Sequence, residues 1–231
     1  MTANRLSRTA LAVSLGVMPV LGLVAALAQP ALSPTRTAEV AAIAAHPDRF
    51  YVYALAILLS SYLSVPAFFG VMAVLRERAP LWTVVAGGLA QFGLLVAIGD
   101  GATELLYWQM GAPGADRGQM AALADRYENA AGVSLIYSLG GLAIVVGTLL
   151  LAVATWRTRV VPRWSAVALL AGTIANIAGF TIASQPVLAA SYVLLLAAFA
   201  PFAARLLRAA ASSASGRAVP DVAASAPVAQ R

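Results

Sequence analysis

Apolar runs of membrane length alternate with short polar stretches along most of this chain. Six runs stand out, at residues 11–28, 51–75, 81–108, 132–156, 165–184 and 187–207. A helix needs about 20 predominantly apolar residues to cross the hydrocarbon of a bilayer, and its backbone polar groups are then satisfied within the segment itself. The pattern predicts an all-α protein, a polytopic transmembrane helix bundle of six spans.

The stretches between the runs carry signals of their own. In residues 29–50, Val40 and Ile43 fall three apart, which predicts a short surface helix over 37–45 that stops before His46-Pro47. Asp48 stands where it would cap the following span, and His46, the one histidine, reads as a solvated loop residue. Within the second run, Ser60 and Ser64 share a face that suits close helix contact, and Pro66 should kink the helix. Pro80 opens the third run as a first-turn proline. Asp116 and Gln119 have capping-box spacing, and Met120, Leu123 and Tyr127 repeat on one helical face, so a second amphipathic surface helix is expected there. Residues 209–231 are small, polar and proline-containing, and read as a disordered tail.

Two points of organisation stay open. The basic start and the Ala26-Leu27-Ala28 ending of the first run match a signal peptide with an A-x-A cleavage site. Its length of about 18 apolar residues equally reaches the low end for a span, and the span reading is the one carried forward. The second point is repetition: RERAPLWTVVAGG at 76–88 parallels RTRVVPRWSAVALLAG at 157–172. Each places R-x-R, proline and tryptophan before an apolar run, which would make spans two and three a parallel hairpin repeat of spans four and five. Turns on one side of a membrane also share these residues for topological reasons alone.

Composition narrows the class. Hydrophobic residues make up 61% of the chain and charged residues 10%, against about 25% charged in a soluble domain. The net charge of +6 comes from fifteen basic residues, all arginine. They sit in short loops between apolar runs, so the partner they imply is a lipid bilayer and no nucleic acid. Eleven arginines fall on the side of the N-terminus and four on the other, which predicts a multi-pass protein of the cell membrane with both termini cytoplasmic. With no cysteine and one histidine, disulfides, thiolate nucleophiles, iron–sulfur clusters, bis-histidine haem and His-rich zinc sites are excluded, and neither cofactor nor metal is expected.

Candidate chemistry centres on the third span. Asp100 lies about 12 Å below Trp108 along a helix, with Glu104 one turn above on the same face. An ionisable residue at such depth is a functional-site candidate, for instance for an ion, unless it is paired. The pairing partners at hand on that side are Arg117 and Arg126, which would tie the second surface helix to the bundle. Gln91 and Asn176 fall near mid-membrane and read as structural polar groups that hydrogen-bond between helices. No G-x-S-x-G, H-E-x-x-H or Walker loop occurs, and no catalytic residue is assigned. The expectation is therefore a non-enzymatic bundle acting as an accessory subunit or sensor, with a membrane-protein partner or self-association through Gly-, Ala- and Ser-rich faces. The alternative is a small proton- or cation-coupled permease using the acidic pair of span three.

HPDRFYVYALAILLSSYLSVPAFFGVMAVLRERAP together with WRTRVVPRWSAVALLAG resembles a family of uncharacterised small integral membrane proteins of actinobacteria. The shared features are a D/G-R-F approach to a span and an R-x-R-V-V-P-R-W turn. This resemblance implies a six-helix bundle with no assigned activity.

The arginine asymmetry generates a topology prediction. Reporter fusions after residues 28, 78, 120, 159 and 231 should alternate, with the first and third outside and the C-terminal one inside. An external C-terminal reporter would reverse the assignment.

Overall fold

The computed structural model describes residues 2–30 and 35–215, and every regular element there is helical. In chain order these are α1 (Thr2–Ala28), α2 (Arg36–Ala45), α3 (Pro47–Leu75), α4 (Pro80–Met110), α5 (Arg117–Glu128), α6 (Ala131–Thr158), α7 (Arg163–Thr181) and α8 (Gln185–Ser215). Among the described residues α1, α3, α4, α6, α7 and α8 are long and apolar enough to cross a membrane. The chain is an integral membrane protein built as an all-helical bundle of six spans.

Element boundaries follow local chemistry. Thr35 caps α2, its hydroxyl accepting the Ala38 amide at 3.3 Å, and Val40 and Ile43 are its buried residues. His46 both closes α2 and precedes α3, whose first residue is Pro47. Asp48 thus lies inside the first turn instead of at the cap, where its charge still complements the positive end of the helix dipole. Helix α3 runs through Pro66 without interruption. Asp116 caps α5 as its spacing predicts, accepting the amides of Gly118 and Gln119 at 2.9 and 3.1 Å. The fifth span ends earlier than the apolar run, because Ile182 to Ser184 form the turn. Ala183 is left-handed there, at φ 52, and the Ser184 amide returns to the Gly179 carbonyl at 2.8 Å. Helix α8 continues to Ser215, so the tail read from residue 209 does not begin there; residues 216–231 lie outside the described residues.

The six spans close into a ring. Helix α1 packs on α3 and α8, α8 on α7, α7 on α6, α6 on α4, and α4 returns to α3. Helices α2 and α5 pack on each other at the end of the ring away from both termini. Helix α1 is a full member, and its last carbonyls are capped from both neighbours. Arg49 donates to Leu27 and Ala28 at 3.0 Å each, and Gln185 donates to Ala26 at 2.8 Å. Without residues 1–28 the ring would stand open between α3 and α8.

Glycines bring the backbones of α4 and α6 into direct contact. A methyl group on Gly147 would lie 2.4 Å from the Ala90 amide nitrogen, and one on Gly93 would lie 2.4 Å from the Gly140 carbonyl oxygen. Fully buried Ala86 and Ala90 complete this seam. Lipid tails are as apolar as leucine, so spans gain little by exchanging lipid for protein, and small residues that let backbones approach are a main route to association.

At the terminal end, Leu15, Val71, Leu75, Leu151, Leu169 and Phe202 belong to one continuous apolar core. A smaller cluster under the surface helices includes Ile43, Phe50, Tyr53, Tyr107 and Ala124. The two arginine-rich turns are built differently despite their shared sequence. Arg76 ends α3 in a right-handed conformation before Pro80 starts α4, whereas Arg159 ends α6 left-handed and Pro162 precedes α7. Arg205 ties α8 to both turns, bonding Glu77 at 2.9 Å and the Val160 carbonyl at 3.0 Å.

The seam yields a paired prediction for melting in detergent. Gly147→Ala should destabilise by about 1–3 kcal/mol, the usual cost of overpacking. Gly141→Ala, whose methyl meets nothing within 4 Å, should be neutral or mildly stabilising. Equal melting temperatures for the two variants would dismiss the seam.

Candidate functional site

Helix α4 carries Asp100 and Glu104 on one face, about 15 and 9 Å from its end at Met110. Both line a cavity of about 260 Å³ on the axis of the ring. All six spans contribute to its wall, among them Met18 of α1, Ser64 of α3, Thr148 of α6, Asn176 of α7 and Tyr192 of α8. Phe68 and Phe199 form its floor, their rings edge-on with centroids 5.8 Å apart. Beyond that floor lies the apolar core of the terminal half.

Most polar groups of the wall have partners in the protein. Ser60 donates to the Met18 carbonyl at 2.9 Å, linking α3 to α1, and Ser64 donates to the Ser61 carbonyl at 2.6 Å. Thr173 bonds back to Leu169 at 2.9 Å. Asn176 donates to the Ser191 hydroxyl at 3.1 Å, joining α7 to α8. Gln91 lies off the cavity and ties α4 to α3, its amide donating to the Val65 carbonyl at 2.9 Å. Glu104 accepts the Tyr53 hydroxyl at 2.9 Å.

Of the two acids, Asp100 has no such partner. Among the described residues it has neither a hydrogen bond nor an ion pair. It is exposed, and it borders both the central cavity and a second, polar pocket of about 340 Å³ where α4, α5 and α6 meet. Tyr107, Tyr127, Tyr137, Thr103 and Glu128 share that pocket with it. The hydroxyls of Tyr127 and Tyr137 are 3.0 Å apart, and Thr103 lies 3.3 and 3.5 Å from them.

The surface helix is tied on by a different arginine from the two expected. Arg36 of α2 pairs with Glu39 and with Glu128 of α5 and lies over the Tyr107 ring at 5.9 Å. Tyr107 in turn donates to Glu128 at 2.6 Å. Burial alone would lower the pKa of Arg36, but Glu39 and Glu128 raise it above its ordinary value and keep the guanidinium charged. Arg117 and Arg126 are exposed and form no ion pair with Asp100 or Glu104. The reason is helical phase. The side of α5 turned toward its neighbours carries Ala121, Ala124 and Glu128, and Arg126 lies midway between the last two, on the opposite side. Arg117 is about 16 Å from Glu128 along the axis. Leu123 is exposed on that far side as well.

The pattern did hold a signal for part of this site. Thr103, Glu104 and Tyr107 follow Asp100 at spacings of three, four and seven, one stripe of a helix. Tyr127, Tyr137 and Arg36 carried no such signal, since only tertiary packing brings them to that stripe. Chemically the site offers two carboxylates without an ion pair among the described residues, Asp100 and the hydrogen-bonded Glu104, with three tyrosines and several hydroxyls around them. Among the described residues no three His, Cys, Asp or Glu side chains gather to hold a metal. No protein-family model, curated protein or solved structure matches the chain.

The Arg36–Glu128 contact gives a prediction for the surface helices. Arg36→Gln and Glu128→Gln should be coupled by about 1 kcal/mol in a double-mutant cycle, and either alone should speed amide exchange in α5. Additive effects with unchanged exchange would show that the pair does not hold α5.

Proposed function

We infer that this protein is a non-enzymatic ligand-binding bundle of the cell membrane, a sensor or accessory subunit that receives a small organic cation in its hollow half. The observation that carries this reading is Asp100, a carboxylate within a span that borders two cavities and has no partner among the described residues. A charge at that depth is costly unless it is compensated, and such residues mark binding sites or ion paths. The surrounding tyrosines suit the same ligand, because aromatic faces attract cations. A mostly apolar cavity with a few convergent polar groups is the usual form of a small-molecule site.

Two further features support a sensor over the alternative of a permease. The terminal half of the ring is filled by the apolar core, so a through-path would require both the Phe68–Phe199 floor and that core to open. The arginine distribution favours cytoplasmic termini, which sets the α2 and α5 end, and with it the acidic pocket, outside. A signal would then pass to a membrane partner or second copy through small-residue helix faces. The chain would belong with the actinobacterial membrane proteins that its D-R-F and R-x-R turns resemble.

Equilibrium binding of tetramethylammonium to the purified protein tests this reading. Binding should be saturable, and Asp100→Asn should weaken it about ten-fold or more while Asp125→Asn does not. The melting temperature of unliganded Asp100→Asn should be unchanged or higher, since the substitution removes an unpaired charge. Unaltered affinity in Asp100→Asn would refute the proposal, and accumulation of the cation inside reconstituted vesicles would replace the sensor with the permease.

A further inference from the structure

The acidic pocket shares two of its walls with a space of opposite character. An apolar groove of about 400 Å³ runs between α4 and α6, lined by Leu95 and Gly99 on one side and Val133 and Ile136 on the other. Tyr127 and Tyr137 line both this groove and the acidic pocket. The groove lies on the outward face of the spans, for Leu95 and Ile136 are 59% and 55% exposed. In a membrane that face meets lipid chains. Gly99 is the residue next to Asp100, so apolar groove and free carboxylate are directly adjacent along α4.

The charge balance at this junction specifies a head group. Glu128 shares Arg36 with Glu39 and accepts the Tyr107 hydroxyl, so the junction keeps a net negative charge, with Asp100 a carboxylate that has no partner among the described residues. It calls for a positive charge. A phosphate-bearing zwitterion would bring its phosphate up to Asp100 and Glu128, at a repulsive cost. Hydroxyls and rings of three tyrosines suit an ammonium, by hydrogen bonding or cation–π contact. An alkyl chain leaving that head finds the groove as its continuation, running toward mid-membrane past Leu95.

Resting on the reading that Asp100 binds an organic cation, we propose that its ligand is a membrane-borne amphiphile with an ammonium head and no phosphate, seated head in the tyrosine pocket and chain in the α4–α6 groove. Such a ligand reaches Asp100 sideways from the bilayer, without crossing the α2–α5 cover. The hydroxyl group of Tyr127, Tyr137 and Thr103 lies where head and chain meet. The site recognises charge and chain together, the chain adding to the affinity that the charge alone supplies.

Photolabelling of the full chain in dodecyl maltoside separates these features. The probe is dodecyltrimethylammonium with a diazirine in its chain, and the comparison is the matching alcohol. The ammonium probe should label residues 95–99 and 132–136 about ten-fold more than the alcohol does. Asp100→Asn should abolish that excess. Gly99→Leu should abolish it too: a Cβ at Gly99 meets nothing within 4 Å, so the leucine fills the groove without disturbing the fold. Ile136→Trp blocks the same groove from the other wall and should act alike, whereas Gly141→Leu, also in open space, should leave labelling intact. Equal labelling by the two probes would reduce the groove to ordinary detergent contact and overturn the proposal. Labelling at Ile57 and Leu195 of the central cavity would also overturn it, while leaving Asp100 as a cation site. If tetramethylammonium does not bind the wild-type protein at all, the reading beneath it falls first, and the two failures are thereby distinguished.

Discussion

The backbone contact between α4 and α6 is the constraint on which the rest of the bundle depends. In a bilayer the apolar side chains of a span gain little from burial against another span, so position must come from close packing and hydrogen bonds. Gly93 and Gly147 allow the two backbones to meet at a distance that no side chain would permit. Once α4 is held there, helical periodicity sets the direction of every later residue on it. The stripe that runs from Asp100 through Glu104 to Tyr107 then has to meet the axis of the ring and the underside of the surface helices. The functional geometry is thus a consequence of where glycine, and not where charge, was placed.

Closing six spans into a ring leaves a question of what fills the middle. At the terminal end the answer is leucine, valine and phenylalanine, which interdigitate into one core. Toward α2 and α5 the inward positions mix apolar residues such as Ile57, Ile177 and Leu195 with serine, threonine, asparagine and the two acids, and several of the polar side chains are short. Thr173 and Ser64 spend their hydroxyls on nearby carbonyls, so they neither fill space nor call for a partner across the ring. A hollow results because small polar groups satisfied locally do not draw opposite walls together. The Phe68–Phe199 contact marks the level at which the filling changes.

The spans themselves were plain in the sequence, because the requirement to satisfy backbone groups in lipid leaves hydropathy little freedom. Asp116 and Pro80 marked helix starts for equally local reasons. The ring order was not legible: each span is apolar on most sides, so no face announces which neighbour it meets. The face of α5 that meets the bundle was not legible for a related reason. It is made of Ala121 and Ala124, and alanine permits close approach without standing out from a pattern weighted toward Met120 and Leu123. The arginine that binds α5 was missed because proximity along the chain favoured Arg117 and Arg126, whereas Arg36 lies 92 residues from Glu128. Asp100 and Glu104 were visible as charges in a span. That neither pairs with Arg117 or Arg126 was not, since it rests on that same helical phase.

What keeps an unpaired carboxylate inside a span is a question of free energy. Insertion of an aspartate costs about 2.5–3.5 kcal/mol at the centre of a span on the translocon scale, and Asp100, about 15 Å from the end of α4, bears part of that cost. Glu104, one turn away, adds like-charge repulsion. An asparagine would avoid both costs and could still hydrogen-bond to the hydroxyls around it. No hydrogen bond or ion pair of α4 requires the acid, since Asp100 is exposed and has neither among the described residues. Two circumstances make the charge tolerable: a polar pocket beside it through which water can reach the carboxylate, and Arg36, which offsets part of the charge of the neighbouring Glu128. Neither supplies a reason for the charge to be there. A cation that occupies the pocket does, because it is the one species whose binding turns the cost of Asp100 into affinity.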